Sequence, residues 1–159
     1  MIILGIDPGY ERLGIAVLEK KSRNDKEHLI FSECFKTSAK LAFEDRLLQI
    51  GEEVKKIIKR YKTEVLAIET LFLNTNQKTV MQVAEVRGVI IYEAKCASLK
   101  VFEASPPQIK VATTGYGKAN KEQMMKMVKM LIKVEPKTKS DDELDAMAIA
   151  LTAFAHIRF

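Results

Sequence analysis

Apolar residues come in short runs at the start of the chain and at helical spacing further on. Residues 2 to 7, 13 to 19 and 28 to 36 are rich in Ile, Leu, Val and Phe and are broken at Pro8-Gly9 and at the polar stretch KKSRNDKE, which predicts three consecutive strands. Leu47, Ile50, Val54, Ile57, Ile58 and Tyr61 then recur at steps of three and four. Glu52, Glu53, Lys55, Lys56 and Lys59 fall between them, the pattern of a helix that lays one face on a sheet. EVLAIE, 64 to 69, is a short apolar run ending in an acid, and the loop TLFLNTNQ leads from it to a predicted helix near 77 to 97. Val80, Val83, Val86, Val89, Ile90 and Ile91 occupy more than one side of that helix. It is therefore expected to be covered by the core and by a second body, for which a partner subunit is one candidate.

LKVFEA, 99 to 104, predicts a fifth strand. Ser105, with Pro106 next and Gln108 third, is a favourable start for a short helix; Asn120 and Gln123 do the same for a helix to about Val134. SDDE opens the last helix, with Ser140 and Glu143 spaced as a capping box and Leu144, Met147, Ala148, Leu151 and Phe154 as its apolar stripe. Three antiparallel strands followed by strands alternating with helices imply an α/β fold, a five-stranded mixed sheet flanked by helices. Neither a repeat nor a linker rich in Pro, Gly or Ser divides the chain, so residues 1–159 read as a single domain.

Composition narrows the class. With 47% hydrophobic and 30% charged residues the chain is a globular one, and a chain of this size buries roughly 68–70% of its unfolded surface. No run approaches the ~18 uninterrupted apolar residues of a membrane span, and MIILGID lacks the basic segment and cleavage site of a signal peptide. A cytoplasmic protein is expected, in which Cys34 and Cys96, far apart and without ligand spacing, are buried reduced thiols. The net charge of +5 is unevenly placed: residues 1 to 36 hold six acids and six bases, whereas residues 108 to 139 hold eight lysines against Glu122 and Glu135. Such a local field suits a polyanion, although a solvated lysine-rich helix face would look the same.

Four acids carry the candidate chemistry. Asp7 and Glu69 each end a strongly apolar strand, where sites gather in open α/β sheets, and Asp142 and Asp145 stand at i and i+3 on the first turns of the last helix. Taken singly, each has an ordinary explanation. Asp7 precedes a Pro-Gly turn, Glu69 could mark a strand edge, and Asp141, Asp142 and Glu143 suit a helix dipole. Asp145 is harder to dismiss, because it lies beside the apolar stripe. Together they would repel one another unless something compensates. All-oxygen ligands favour Mg²⁺ or Mn²⁺, and two such ions about 3.5–4 Å apart can hold a phosphodiester between them. Helix spacing does not choose between Asp141 and Asp142 as the partner of Asp145.

ILGIDPG, AIE followed by Phe72, QVAEVRGV, GYGKANKEQM and DELDAMAIAL occur in the order and spacing of the RuvC-type Holliday-junction resolvases, which the chain resembles over nearly its whole length. The resemblance implies a ribonuclease H-like fold, a homodimer, a requirement for Mg²⁺ or Mn²⁺ with two ions per subunit, and paired symmetric nicks in four-way junction DNA. By the same likeness the acids at the metal site are Asp7, Glu69, Asp142 and Asp145, which leaves Asp141 a bystander. Phe72 matches an aromatic that stacks on bases at the crossover, and Lys110 and Lys121 match basic positions that meet the DNA backbone, with Lys118 a further candidate. The helix at 77 to 97 becomes the dimer contact, and a branch-migration helicase complex of the RuvA/RuvB type becomes a partner.

Two other readings compete. Sugar kinases, actin and heat-shock ATPases open with a similar strand and turn but need two lobes and more than twice this length. A non-catalytic DNA-binding module would gain nothing from a negative cluster beside DNA.

Overall fold

The computed structural model describes residues 1–71, 77–132 and 140–157. The strands are β1 (Ile2–Asp7), β2 (Arg12–Glu19), β3 (His28–Lys36), β4 (Val65–Glu69) and β5 (Lys100–Ala104). The helices are α1 (Phe43–Tyr61), α2 (Gln77–Cys96), α3 (Pro106–Thr114), α4 (Lys121–Ile132) and α5 (Asp141–His156). The five strands form one sheet in the order β3-β2-β1-β4-β5, antiparallel among the first three and parallel from β1 through β4 to β5. Each expected element is present. The expected end of the fourth helix, near Val134, lies outside the described residues.

Burial explains the sequence pattern. The central strands β1 and β4 are covered on both faces, so Ile3, Leu4, Ile6, Leu66, Ala67 and Ile68 are wholly buried and the sequence there is continuously apolar. One face packs on α1 and α2, through Leu4, Ile6, Ile50, Val54, Ile57, Val86 and Ile90. The opposite face packs on α3, α4 and α5, through Ile3, Ala16, Ile109, Val128, Met147 and Phe154. The outer strands β3 and β5 are only partly covered, which is why their sequences admit Ser32, Cys34 and Glu103. Against the expectation of buried thiols, Cys34 is therefore half-buried, and Cys96, at the end of α2, is exposed. No described helix is long and apolar enough to cross a membrane.

Local chemistry sets the helix starts. Asn120 and Gln123 exchange backbone-to-side-chain hydrogen bonds of 3.0 and 2.9 Å ahead of α4. Ser140 and Glu143 do so at 3.2 and 3.3 Å ahead of α5. Ahead of α3, the Gln108 side chain accepts from the Ser105 N–H at 2.9 Å. Helix α5 then lies directly on the sheet, because Gly5 and Gly14 leave room for it. A Cβ on Gly5 would fall inside the Ala146 carbonyl oxygen, and one on Gly14 inside that of Asp142.

Candidate active site

The acids at the strand ends meet because of register. Ile6 faces Ile68 across the parallel pair β1–β4, so the next residue on each strand, Asp7 and Glu69, emerges at the same level of the same sheet edge. The turn after Asp7 is clamped from α1, a contact that the helical pattern of Arg46 did not reveal. The buried Arg46 guanidinium donates to the Tyr10 carbonyl at 3.1 Å and, through Nε, to Thr37 Oγ1 at 2.8 Å. It also lies over the Tyr10 ring.

Helix α5 brings the third acid. Asp7, Glu69 and Asp145 line one cavity of about 250 Å³, whose wall also holds Lys110 of α3 and Lys121 of α4 above apolar Pro106, Ile109, Met124 and Ile149. A neighbouring cavity of about 620 Å³ shares Asp7, Glu69 and Pro106 and extends along Thr79, Val80, Val83 and Arg87 of α2. Leu71 lines this second cavity. Phe72, the next residue, lies outside the described residues.

Electrostatics mark the cluster as uncompensated. The Asp7 carboxyl is pushed up to about 7, first by burial, then by the charges of Asp145, Glu69 and Asp142. Burial and Asp145 raise Glu69, against the opposing charge of Arg87, which itself pairs with Glu103. Burial raises Asp145 too, while Lys121 opposes the rise. The Lys121 ammonium stands 3.3 Å from Asp141 and 3.4 Å from Asp145; burial works against its charge, and the two acids outweigh that and hold its affinity for the proton above normal. Such displacement of several neighbouring groups is what a site for a charged ligand produces.

Asp142 is turned elsewhere. Its Oδ2 pairs with the Arg12 guanidinium of β2 and accepts from the Cys34 thiol of β3 at 3.4 Å. Its charge still reaches Asp7, but its side chain does not line the cavity. Asp141 is exposed and reaches only the rim, at Lys121. As the side chains stand, no three His, Cys, Asp or Glu among the described residues are placed to hold a metal ion. Arg12 pairs with Asp142, and Lys121 bridges Asp141 and Asp145. Of the expected lysines, Lys110 and Lys121 line the cavity, whereas Lys118 is exposed on the turn between α3 and α4 and lines neither cavity. Arg12 gave no signal in the sequence, because a charge at the start of a strand, next to a turn, reads as a solvent residue.

This sheet order, with acids at the ends of two adjacent parallel strands and a third on a helix laid across them, defines a ribonuclease H-like protein. The model of the family "Crossover junction endodeoxyribonuclease RuvC" matches residues 3–153, and the chain belongs to that family. The RuvC of Petrotoga mobilis is 42% identical over 159 residues, covering 100% of this chain and 94% of that protein. The Thermus thermophilus RuvC in complex with Holliday junction substrate superposes with a TM-score of 0.90 at 31% identity, covering 98% of this chain and 94% of that one. The yeast mitochondrial Holliday junction resolvase, 14% identical with a TM-score of 0.70 over 96% of this chain and 77% of its own, shares the fold.

Proposed function

We propose that this chain is a cytoplasmic endonuclease that resolves four-way DNA junctions by paired nicks, with Asp7, Glu69, Asp142 and Asp145 holding Mg²⁺ or Mn²⁺. The observation that carries the reading is the convergence of Asp7, Glu69 and Asp145, from three separate elements, into one lysine-rimmed cavity where burial first, and neighbouring carboxylates next, raise all three. Uncompensated oxygen donors without His suit hard cations. Two such ions per subunit would supply a water acidic enough to attack phosphorus and a positive field for the oxygen that leaves.

The residues of the chain do the rest. Asp7, Glu69, Asp142 and Asp145 would hold the ions. Lys110, on the cavity wall, would meet a non-bridging phosphate oxygen, and Lys118, exposed outside the cavity, would meet a neighbouring phosphate. Lys121 would pass from Asp145 to the phosphate as the ions take up the carboxylates. The apolar floor of Ile109, Met124 and Ile149 excludes water beneath the reacting group. A homodimer formed through α2, whose Met81 and Tyr92 are exposed, would present two such sites to a junction of similar symmetry.

The test is incubation of the purified protein and Mg²⁺ with a labelled four-way junction, a fork and plain duplex. Symmetric, ligatable nicks in the junction alone are expected. Equal cutting of duplex would sink junction selectivity, and unpaired single nicks would sink the dimer. Phe72 is assigned to stacking on a base at the crossover, a contact worth about 1–3 kcal/mol per base. Phe72→Ala should therefore slow junction processing by roughly tenfold or more with cation binding intact. An unchanged rate removes Phe72 from the mechanism.

A further inference from the structure

Two cations already sit among the carboxylates, and they hold them differently. Lys121 shares one ammonium between Asp141 and Asp145 from a side chain 58% exposed. Arg12 pairs with Asp142 Oδ2, the same atom that accepts from the Cys34 thiol, and also meets the Cys34 side chain. A guanidinium is a fixed fork that keeps its charge at any working pH, so it is a more persistent partner than an ammonium. An oxygen so engaged is less available to a metal ion than a free carboxylate oxygen. A positive charge beside it further disfavours a divalent cation.

Arg12 can nevertheless leave without difficulty. Its side chain is 52% exposed, so turning it into solvent strands no buried charge, whereas Asp142 is 22% exposed and remains at the site. Helix α5 stays in place as well, because Glu143, next to Asp142, accepts from Ser32 of β3 at 2.6 Å.

We propose that Arg12 is a positioning residue that competes with divalent cation for Asp142: it neutralises the cluster in the metal-free protein and sets the cation concentration at which the site fills. The inference rests on the metal-site reading given above. Removing Arg12 should have two effects of opposite sign. The metal-free protein loses the partner of Asp142 and becomes less stable, while the site gains affinity for the cation. A residue with a merely structural role would weaken both.

The experiment is calorimetric titration of Mn²⁺ into the wild type, Arg12→Gln, Arg12→Lys and Glu69→Gln, together with thermal unfolding of each in EDTA. Arg12→Gln should bind Mn²⁺ about tenfold more tightly, equivalent to about 1.4 kcal/mol, and unfold at a lower temperature in EDTA. Arg12→Lys, which keeps the charge without the fork and the fold without an unpaired acid, should fall between it and the wild type. Unchanged or weaker Mn²⁺ binding by both Arg12 variants, with Glu69-dependent binding in the wild type, overturns this inference alone. Wild-type binding that is absent or indifferent to Glu69→Gln overturns the metal-site reading and this inference with it.

Discussion

Glu69→Gln abolishes cleavage of a four-way junction in Mg²⁺ while junction binding stays within about threefold of the wild type. The substitution keeps the shape of the side chain and removes one charge from a cluster in which Glu69 is half-buried beside Asp145. If a cation held there contributes several kcal/mol of transition-state stabilisation, losing it costs on the order of 10³-fold in rate. Binding should not suffer. A carboxylate facing a phosphodiester repels it, and the DNA affinity is proposed to come from lysines such as Lys110 and Lys121 on the cavity wall. Single-turnover cleavage and gel-shift titration separate the two quantities. Nicking by the variant at the wild-type rate would end the metal-site reading.

The second large effect concerns stability in the absence of divalent cation. Asp7 is a carboxyl whose folded affinity for a proton exceeds the unfolded one. Between its ordinary value of 3.8 and about 7 the native protein therefore keeps a proton that the unfolded chain has released, and stability falls as pH rises through that window. Below it there is no penalty, and above it the penalty is constant. A rise from 3.8 to about 7 corresponds to about 4 kcal/mol at the upper end. In EDTA, Asp7→Asn should accordingly be more stable than the wild type at pH 8, by up to that amount, and should show no such gain at pH 4. Adding Mg²⁺ should raise the unfolding temperature of the wild type and leave the variant nearly unmoved. Denaturant unfolding at the two pH values decides it, and a difference that does not change with pH would remove Asp7 from the buried cluster.

The frame of the site was legible because its causes are local or periodic. Continuous apolar runs at IILGI and VLAI mark strands covered on both faces, and the pairs Asn120/Gln123 and Ser140/Glu143 mark helix starts that hydrogen bonds then realise. Two acids at strand ends could be inferred to lie side by side from the same logic. What the sequence could not show is how the acids are apportioned. Asp141 and Asp145, one helical turn apart, share Lys121, while Asp142, on an adjoining face, is turned to β2 and β3. That division depends on Arg12 and Cys34, which come from strands more than a hundred residues away in sequence. Arg46 was illegible for a similar reason. On a helical wheel it borders the apolar stripe, four residues before Ile50, and it is buried there because a backbone carbonyl, a hydroxyl and an aromatic ring satisfy it.

Helix α5 reaches Asp142 and Asp145 over the sheet at the points where Gly5 and Gly14 carry no side chain. The separation between the acids of the strands and those of the helix is thus gauged by peptide planes in direct contact. Side chains between two layers can change rotamer and let the layers creep, whereas peptide planes have no such slack. The site has been given the dimensional tolerance of its backbone, which suits a reaction whose ligands must keep their spacing while flexible lysines and a long DNA substrate move around them.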